Sequence, residues 1–427
     1  MNEAFLHYIW QYQYFDKVDL CTTAGDPISI IQPGFRNTNA GPDFLNAKIK
    51  VGDVVWIGHV EIHINSSEWI DHKHHVDPSY ENVILHVVWK ENQSIRQKDN
   101  SALPTAELKG RVSDDLILRY RKLINQPEAI PCSHHLAGVR DIVKYGMIEK
   151  ALIERLENKA EVVHELLKKT ANDWEQTTFT LLCKNFGFKI NTPAFERLAE
   201  VVPHKLLLKH QQLMQVEALL FGQAGFLDET KRDTYYLLLK REYDLLGKKY
   251  GLDQRRMNKS QWKFLRLRPA NFPTLRIAQL AALVVAQKNM FSKIVDATSY
   301  KDLLEMFSVS QSDYWQTHYR FDYQSDERIA GLGDASINNL LINTAIPLMV
   351  AYGKVKDDQM YVDKAVALLQ QIPTEENAIT KRWKSQQMVA SSAADSQGFI
   401  ELFNNYCVKR RCLDCNIGFS ILLSGKT

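Results

Sequence analysis

Glycine and proline are scarce in this sequence of 427 residues, at 19 and 13, which excludes collagen-like and low-complexity chains. No apolar run approaches the roughly 18 residues that a membrane helix needs, so no membrane partner is expected. The opening segment, MNEAFLHYIWQYQYFDK, lacks a basic stretch and a small-residue cleavage site. It is read as no secretory signal, and a cytoplasmic protein is expected. Neither sign of charge is in excess, since 53 Lys and Arg against 50 Asp and Glu leave +3. Six cysteines are too few for a disulfide scaffold. What is present is an ordinary globular balance, 45% hydrophobic and 24% charged, enough apolar surface to offset the entropy of ordering. At about 100–200 residues per domain, the length fits two to three domains.

The charge is unevenly placed. Residues 1–126 carry 13 Lys and Arg against 16 Asp and Glu, and the remainder carries 40 against 34. The hydrophobic period changes near the same point. Residues 3–15 read as an aromatic-rich helix, with Phe5, Ile9, Tyr12 and Phe15 near helical spacing. PISIIQPG (27–34) reads as a short strand. LNAKIKV (45–51) and VVWIGHVEIHI (54–64) alternate apolar and polar residues about Gly52-Asp53, which predicts a hairpin. VILHVVW (83–89) suits a strand buried on both faces, and ALPTAELKG (102–110) adds another. From Ser113 onward the spacing turns helical, most clearly over 141–169, with further helices near 172–185, 193–200, 210–223, 230–250, 274–289, 299–306, 335–352, 359–371 and 384–404. An α/β domain over 1–126 is therefore expected before a larger all-helical domain over 127–427, the break lying between Gln126-Pro127 and His135.

The first domain concentrates acids and imidazoles. Asp43 ends a loop rich in turn formers, NTNAGPDF (37–44). Glu61 and His63 stand two apart on a strand, so they share a face, and the hairpin can bring Asp43 beside them. Two carboxylates and a nitrogen base make a divalent-metal site for Mg²⁺ or Mn²⁺. Such an ion polarises a phosphodiester and activates water. His72, His74 and His75 lie near Asp77, and His74 is the further ligand expected. His86, inside the apolar strand, reads first as a core histidine.

Pro42-Asp43, seventeen intervening residues, then Glu61-Ile62-His63 resembles the signature of the PD-(D/E)XK nuclease-like superfamily. The resemblance covers about 90 residues and implies that Asp43 and Glu61 bind the metal. His63 stands where that family has the lysine that positions or activates water. A neutral imidazole can serve there as base or ligand. The first helix of that fold often supplies another acid, and Glu3 is the one available. The whole chain also resembles an uncharacterised bacterial family of unknown function, found mainly in Bacteroidetes. NAGPDFLNAKI, GHVEIHINSSEW, NVILHVVW, RPANFPTLRIAQLA, LLINTAIPLMVAYG and the terminal cysteines carry that likeness. Glu61, His63, His72 and His74 alternatively resemble the mixed ligand set of a cupin-like metal-dependent enzyme, which prefers Zn²⁺ or Fe²⁺.

Near the end, Cys407, Cys412 and Cys415 form C-x₄-C-x₂-C. Thiolates at this spacing suit zinc or an iron–sulfur cluster. Cys132 is the expected fourth ligand, with His134 or His135 as substitutes. Lys409, Arg410 and Arg411 are expected to lower the thiol pKa values. Some PD-(D/E)XK nucleases carry a cluster of similar kind, built from one distant and three close cysteines.

Residues 231–276 hold 13 Lys and Arg against 4 Asp and Glu. Lys248, Lys249, Arg255, Arg256, Lys259 and Lys263 are the expected nucleic-acid contacts, with Tyr235, Tyr236, Tyr243, Tyr250, Trp262 and Phe264 interleaved for base stacking. The function expected is a metal-dependent nuclease that hydrolyses nucleic-acid phosphodiester bonds. The alternative is a non-catalytic nucleic-acid or protein-binding module that retains the nuclease fold.

Overall fold

Gly52, at φ +60°, turns the chain between β3 (Phe44–Val51) and β4 (Val54–Asn65), which pair antiparallel. In this computed structural model, residues 1–424 are described, apart from Asp99 and Arg232. β1 (Ile28–Gln32) lies antiparallel against β3, and the two-residue β2 (Phe35–Arg36) pairs with the start of β3. Beyond β4, β5 (Val83–Lys90) and β6 (Thr105–Glu107) add in parallel. The order β1-β3-β4-β5-β6 leaves an open sheet, so the barrel required by the cupin-like alternative does not form. Each expected strand is present, with β6 shorter than the 102–110 segment.

α1 (Glu3–Tyr12) packs against β4 and buries Phe5, Leu6 and Ile9. Asn2 caps it by accepting from the Phe5 N–H at 3.1 Å. The helix stops short of the expected residue 15 because Gln13 turns left-handed. On β4, Val60 and Ile62 face the core as expected. The opposite face is also covered: Glu61 is 4% exposed and His63 fully buried. The cover comes from the short α2 (Glu68–Asp71) and the loop after it, with the Trp69 ring centroid 5.4 Å from those of His74 and His86. A Cβ at Gly58 would meet the Asn82 carbonyl oxygen and Ile84 Cγ2 at 2.5 Å, so β4 approaches β5 this closely only with glycine there.

The chain divides into two units, Met1–Met147 with Leu402–Thr427, and Ile148–Glu401. These limits differ from the expected break at 126/127. The terminal cysteine segment belongs with the sheet rather than with the helices. The Arg410 guanidinium donates to the carbonyls of Glu128 (2.9 Å) and Gln126 (2.7 Å). The terminal helix Asn416–Leu423 packs on α3 (Asp114–Ile124). Phe419 sets its ring edge-on to Tyr12, 4.9 Å between centroids.

The second unit is almost wholly helical. The chain is α+β overall, a mixed sheet followed by helices. Pro347, which has no N–H, follows a π-helical turn at Leu341–Ala345. Asn185 donates to the Asn343 carbonyl at 2.8 Å, the acceptor that proline leaves without its helical partner. The helix expected over 384–404 is interrupted. Ala378–Ser385 ends, Gln387 takes φ 61°, and Ala393–Glu401 starts afresh after the Ser391 side chain donates to Asp395 at 2.6 Å. No helix among the described residues is long and apolar enough to cross a membrane.

Glu217, fully buried on the helix Leu213–Gln223, accepts from the hydroxyls of Tyr235 and Ser312, the latter at 2.8 Å. Burial pushes its carboxyl up to about 7 from 4.5. The folded state therefore favours the protonated acid. That stabilisation is full below the unfolded value and is lost as pH rises through the folded one. Glu217→Gln should be more stable than the parent near pH 8 by up to about 3 kcal/mol, the gain vanishing near pH 4. Denaturant melts at the two pH values check this, and a variant weaker than the parent at the higher pH contradicts it.

Candidate metal centre

Asp43 and Glu61 hold each other's strand. The Asp43 N–H donates to Glu61 Oε2 at 3.0 Å, and the Ile62 N–H donates to Asp43 Oδ2 at 3.0 Å. The loop before Asp43 is closed by Asn37, whose N–H donates to the Asp43 carbonyl at 2.7 Å. Just after it, the β3–β4 register shifts between Phe44 and Ala47, where Asn46 takes φ 56°. Bulges of this kind re-aim side chains near sites, and asparagine tolerates the left-handed backbone.

The imidazoles converge on the same carboxylate. Glu61 Oε1 lies 3.3 Å from His74 Nε2 and 3.6 Å from His63 Nε2. His63 Nε2 is 3.2 Å from His72 Nδ1, and ligand atoms of His63, His72 and His74 all fall within 4.8 Å of one another. Behind them His86 Nε2 sits 2.9 Å from His63 Nδ1. This is the backing contact that orients metal-ligating histidines. On the other side, Glu3, His7 and Asp43 make a second group within the same span, with His7 Nε2 3.1 Å from Asp43 Oδ2. Of the expected ligands, Glu61, His63 and His74 meet side chain to side chain, whereas Asp43 is joined to Glu61 through backbone amides and groups with Glu3 and His7.

Burial dominates the electrostatics. It pushes the His63 imidazole down to about 3, with the neighbouring His74, His72 and His7 adding to the shift. His86 is lowered too, first by burial and then by His63. Burial raises Glu61, His74 opposing it and Asp43 reinforcing it. His63 is therefore neutral across the physiological range. The nitrogens His7 Nε2 and His74 Nε2 are buried and make no aligned hydrogen bond, although each lies near a carboxylate oxygen. Two groups of donors could each hold a divalent ion: the His63, His72 and His74 imidazoles with Glu61 beside them, and the Glu3–Asp43 carboxylates with His7. The centre is reached from outside, since His72 is exposed and His74 lines a cavity of about 440 Å³ with Trp69 and Tyr80.

The sequence reading missed His7 and counted His72 as a ligand only in the cupin-like alternative. Glu3 and His7 are four apart and so share a face of α1. That spacing was visible, but the packing that aims the face at Asp43 was not. The four cysteines lie in one neighbourhood of the first unit, although no three of their sulfurs fall within 4.8 Å of one another. Cys132, Cys407, Cys412 and Cys415 are all buried, and the thiols of Cys412, Cys415 and Cys132 each act on that of Cys407. His134, by contrast, points to Glu128 at 3.0 Å with most of its side chain exposed. The expected lowering of the thiol pKa values is reversed: burial raises Cys132, Cys407 and Cys412, the last to about 12, and Arg410 only partly offsets it at Cys407 and Cys412.

The basic segment lies in the second unit. Lys248, Lys249, Arg255, Arg256, Lys259 and Lys263 are all exposed. Arg256 pairs with Asp228 at 2.7 Å and Lys259 with Glu229. The interleaved Tyr236, Tyr243 and Trp262 are core residues, so they are not available to stack on bases. Arg232 of the same segment lies outside the described residues.

A mixed sheet carrying an imidazole–carboxylate cluster, joined to a helical unit, is the class that these features define. Over residues 3–378 the chain matches the family described as Protein of unknown function (DUF2851), and it belongs to that family. Neither the curated proteins nor the solved structures give a match.

His86 touches His63 but not the ligand cluster's open side. His86→Gln should weaken Mn²⁺ or Zn²⁺ binding roughly 10- to 100-fold in calorimetric titrations. Unchanged affinity would mean that His63 is not a ligand.

Proposed function

We propose that the sheet unit is a PD-(D/E)XK-like domain and that the protein is a metal-dependent nuclease. The observation that carries this reading is the meeting of Glu61 with His63 and His74, and the reciprocal amide bonds that set Asp43 beside Glu61 on the hairpin. The order of elements supports it: a helix, antiparallel strands bearing the acid and then the Glu-x-His, and a further parallel strand. A divalent ion held there supplies a Lewis acid for a phosphodiester and a water activated at neutral pH. The chain's own residues do the rest. Asp43 and Glu61 contribute the negative charge, and each is fixed by the other's strand amide. His63 is fixed by His86. The imidazole nitrogens favour Mn²⁺ or Zn²⁺ over Mg²⁺, which prefers oxygen donors and keeps its waters. Exposed Lys248, Lys249, Arg255 and Lys263 offer a phosphate-binding surface on the helical unit.

The missing lysine favours a second reading, a module that binds nucleic acid or protein without turnover. Cleavage of single- and double-stranded DNA and of RNA, with Mn²⁺, Zn²⁺ or Mg²⁺ in turn, separates the two. The nuclease reading expects Mn²⁺-supported cleavage that Asp43→Asn and Glu61→Gln each lower by at least roughly 100-fold. Binding without cleavage under every metal overturns it in favour of the module.

A further inference from the structure

The cysteine segment is a second constellation that the nuclease reading leaves unused. Cys407 ends a π-helical turn, Leu402–Cys407, Cys412 lies in the turn that follows, and Cys415 immediately precedes the helix Asn416–Leu423. Cys132 leads into the 3₁₀ turn Ser133–Gly138, some 280 residues earlier in the chain. Arg410 pins the two segments together through the carbonyls of Gln126 and Glu128. Gly418 brings the terminal helix onto the Cys412 backbone so closely that a Cβ there would fall 2.1 Å from the Cys412 carbonyl oxygen. Arg36 ties the same turn to β2 through Asp414 at 3.3 Å. All four cysteines are thiols, between 7% and 8% exposed.

One buried thiol is an ordinary small apolar residue, as Cys183 is in the second unit. Four are gathered here from two distant segments that Arg410 holds together, the close Gly418 contact folding the second of them. Sulfurs so gathered are soft donors that one thiophilic centre can use. We propose that Cys132, Cys407, Cys412 and Cys415 together bind a thiophilic metal, as zinc or as an iron–sulfur cluster, and that this centre staples the end of the chain to the sheet unit. Each thiol releases its proton to solvent as its sulfur takes the metal. The guanidinium of Arg410 stands beside the resulting negative charge. Binding closes a loop of some 280 residues, so its free energy is also folding free energy for the terminal segment.

The test uses the full chain purified without oxygen. Metal analysis and the visible spectrum are read before and after titration with a mercurial thiol reagent. Zinc released in step with thiol modification identifies the zinc form. Iron, acid-labile sulfide and absorption near roughly 400 nm, all lost on the same titration, identify the cluster. Metal that stays bound reports the imidazole centre, so the two sites fail independently. Cys132→Ser should cut the mercurial-released metal at least about tenfold, whereas Cys183→Ser should leave it unchanged. Thiol modification that releases no metal from the parent overturns the proposal, and so does a Cys132→Ser protein with full occupancy.

Discussion

Two backbone amides fix the carboxylates at the heart of the sheet unit. The N–H of Asp43 serves Glu61, and the N–H of Ile62 serves Asp43. Because each acid is bound by the other's strand, neither can move without disturbing the β3–β4 pairing. Their separation is therefore set by strand geometry, which is far stiffer than a surface side chain. α1 adds Glu3 and His7 to that fixed pair, and the loop after α2 adds His72 and His74.

Burying so many ionisable groups is costly unless they are paired or neutral. His63 and His86 meet the constraint by staying neutral. Burial pushes Glu61 the same way, raising its carboxyl toward the neutral form. A cation at this point would stabilise Glu61 and Asp43 together and satisfy the nitrogens of His7 and His74 that lack aligned partners.

Much of this was legible in the sequence because it is local. Strict alternation gave β3 and β4, Gly52 gave the turn, and the two-residue spacing put Glu61 and His63 on one face. The hairpin carried Asp43 to them. What was hidden is long-range. Nothing in the period of residues 3–12 says which strand α1 crosses, so His7 went unnoticed. His86 read as a core histidine and is one, yet it also orients His63. Alternation sets the polar residues of β4 on one face but does not show that Trp69 and the histidine loop cover it. The unit boundary was misplaced because the chain returns to its first unit at the end, through Arg410 and the terminal helix. In the basic segment, Tyr236, Tyr243 and Trp262 interleave with charge simply because amphipathic helices alternate faces, and those rings pack inward.

The central claim is spatial, and a crystal grown with Mn²⁺ tests it most directly. Anomalous scattering should place an ion within coordination distance of Glu61, His63 and His74, roughly 2.0–2.3 Å from their ligand atoms. A fully ordered cluster with no ion at millimolar Mn²⁺ or Zn²⁺, its imidazoles hydrogen-bonded only among themselves, would contradict the account.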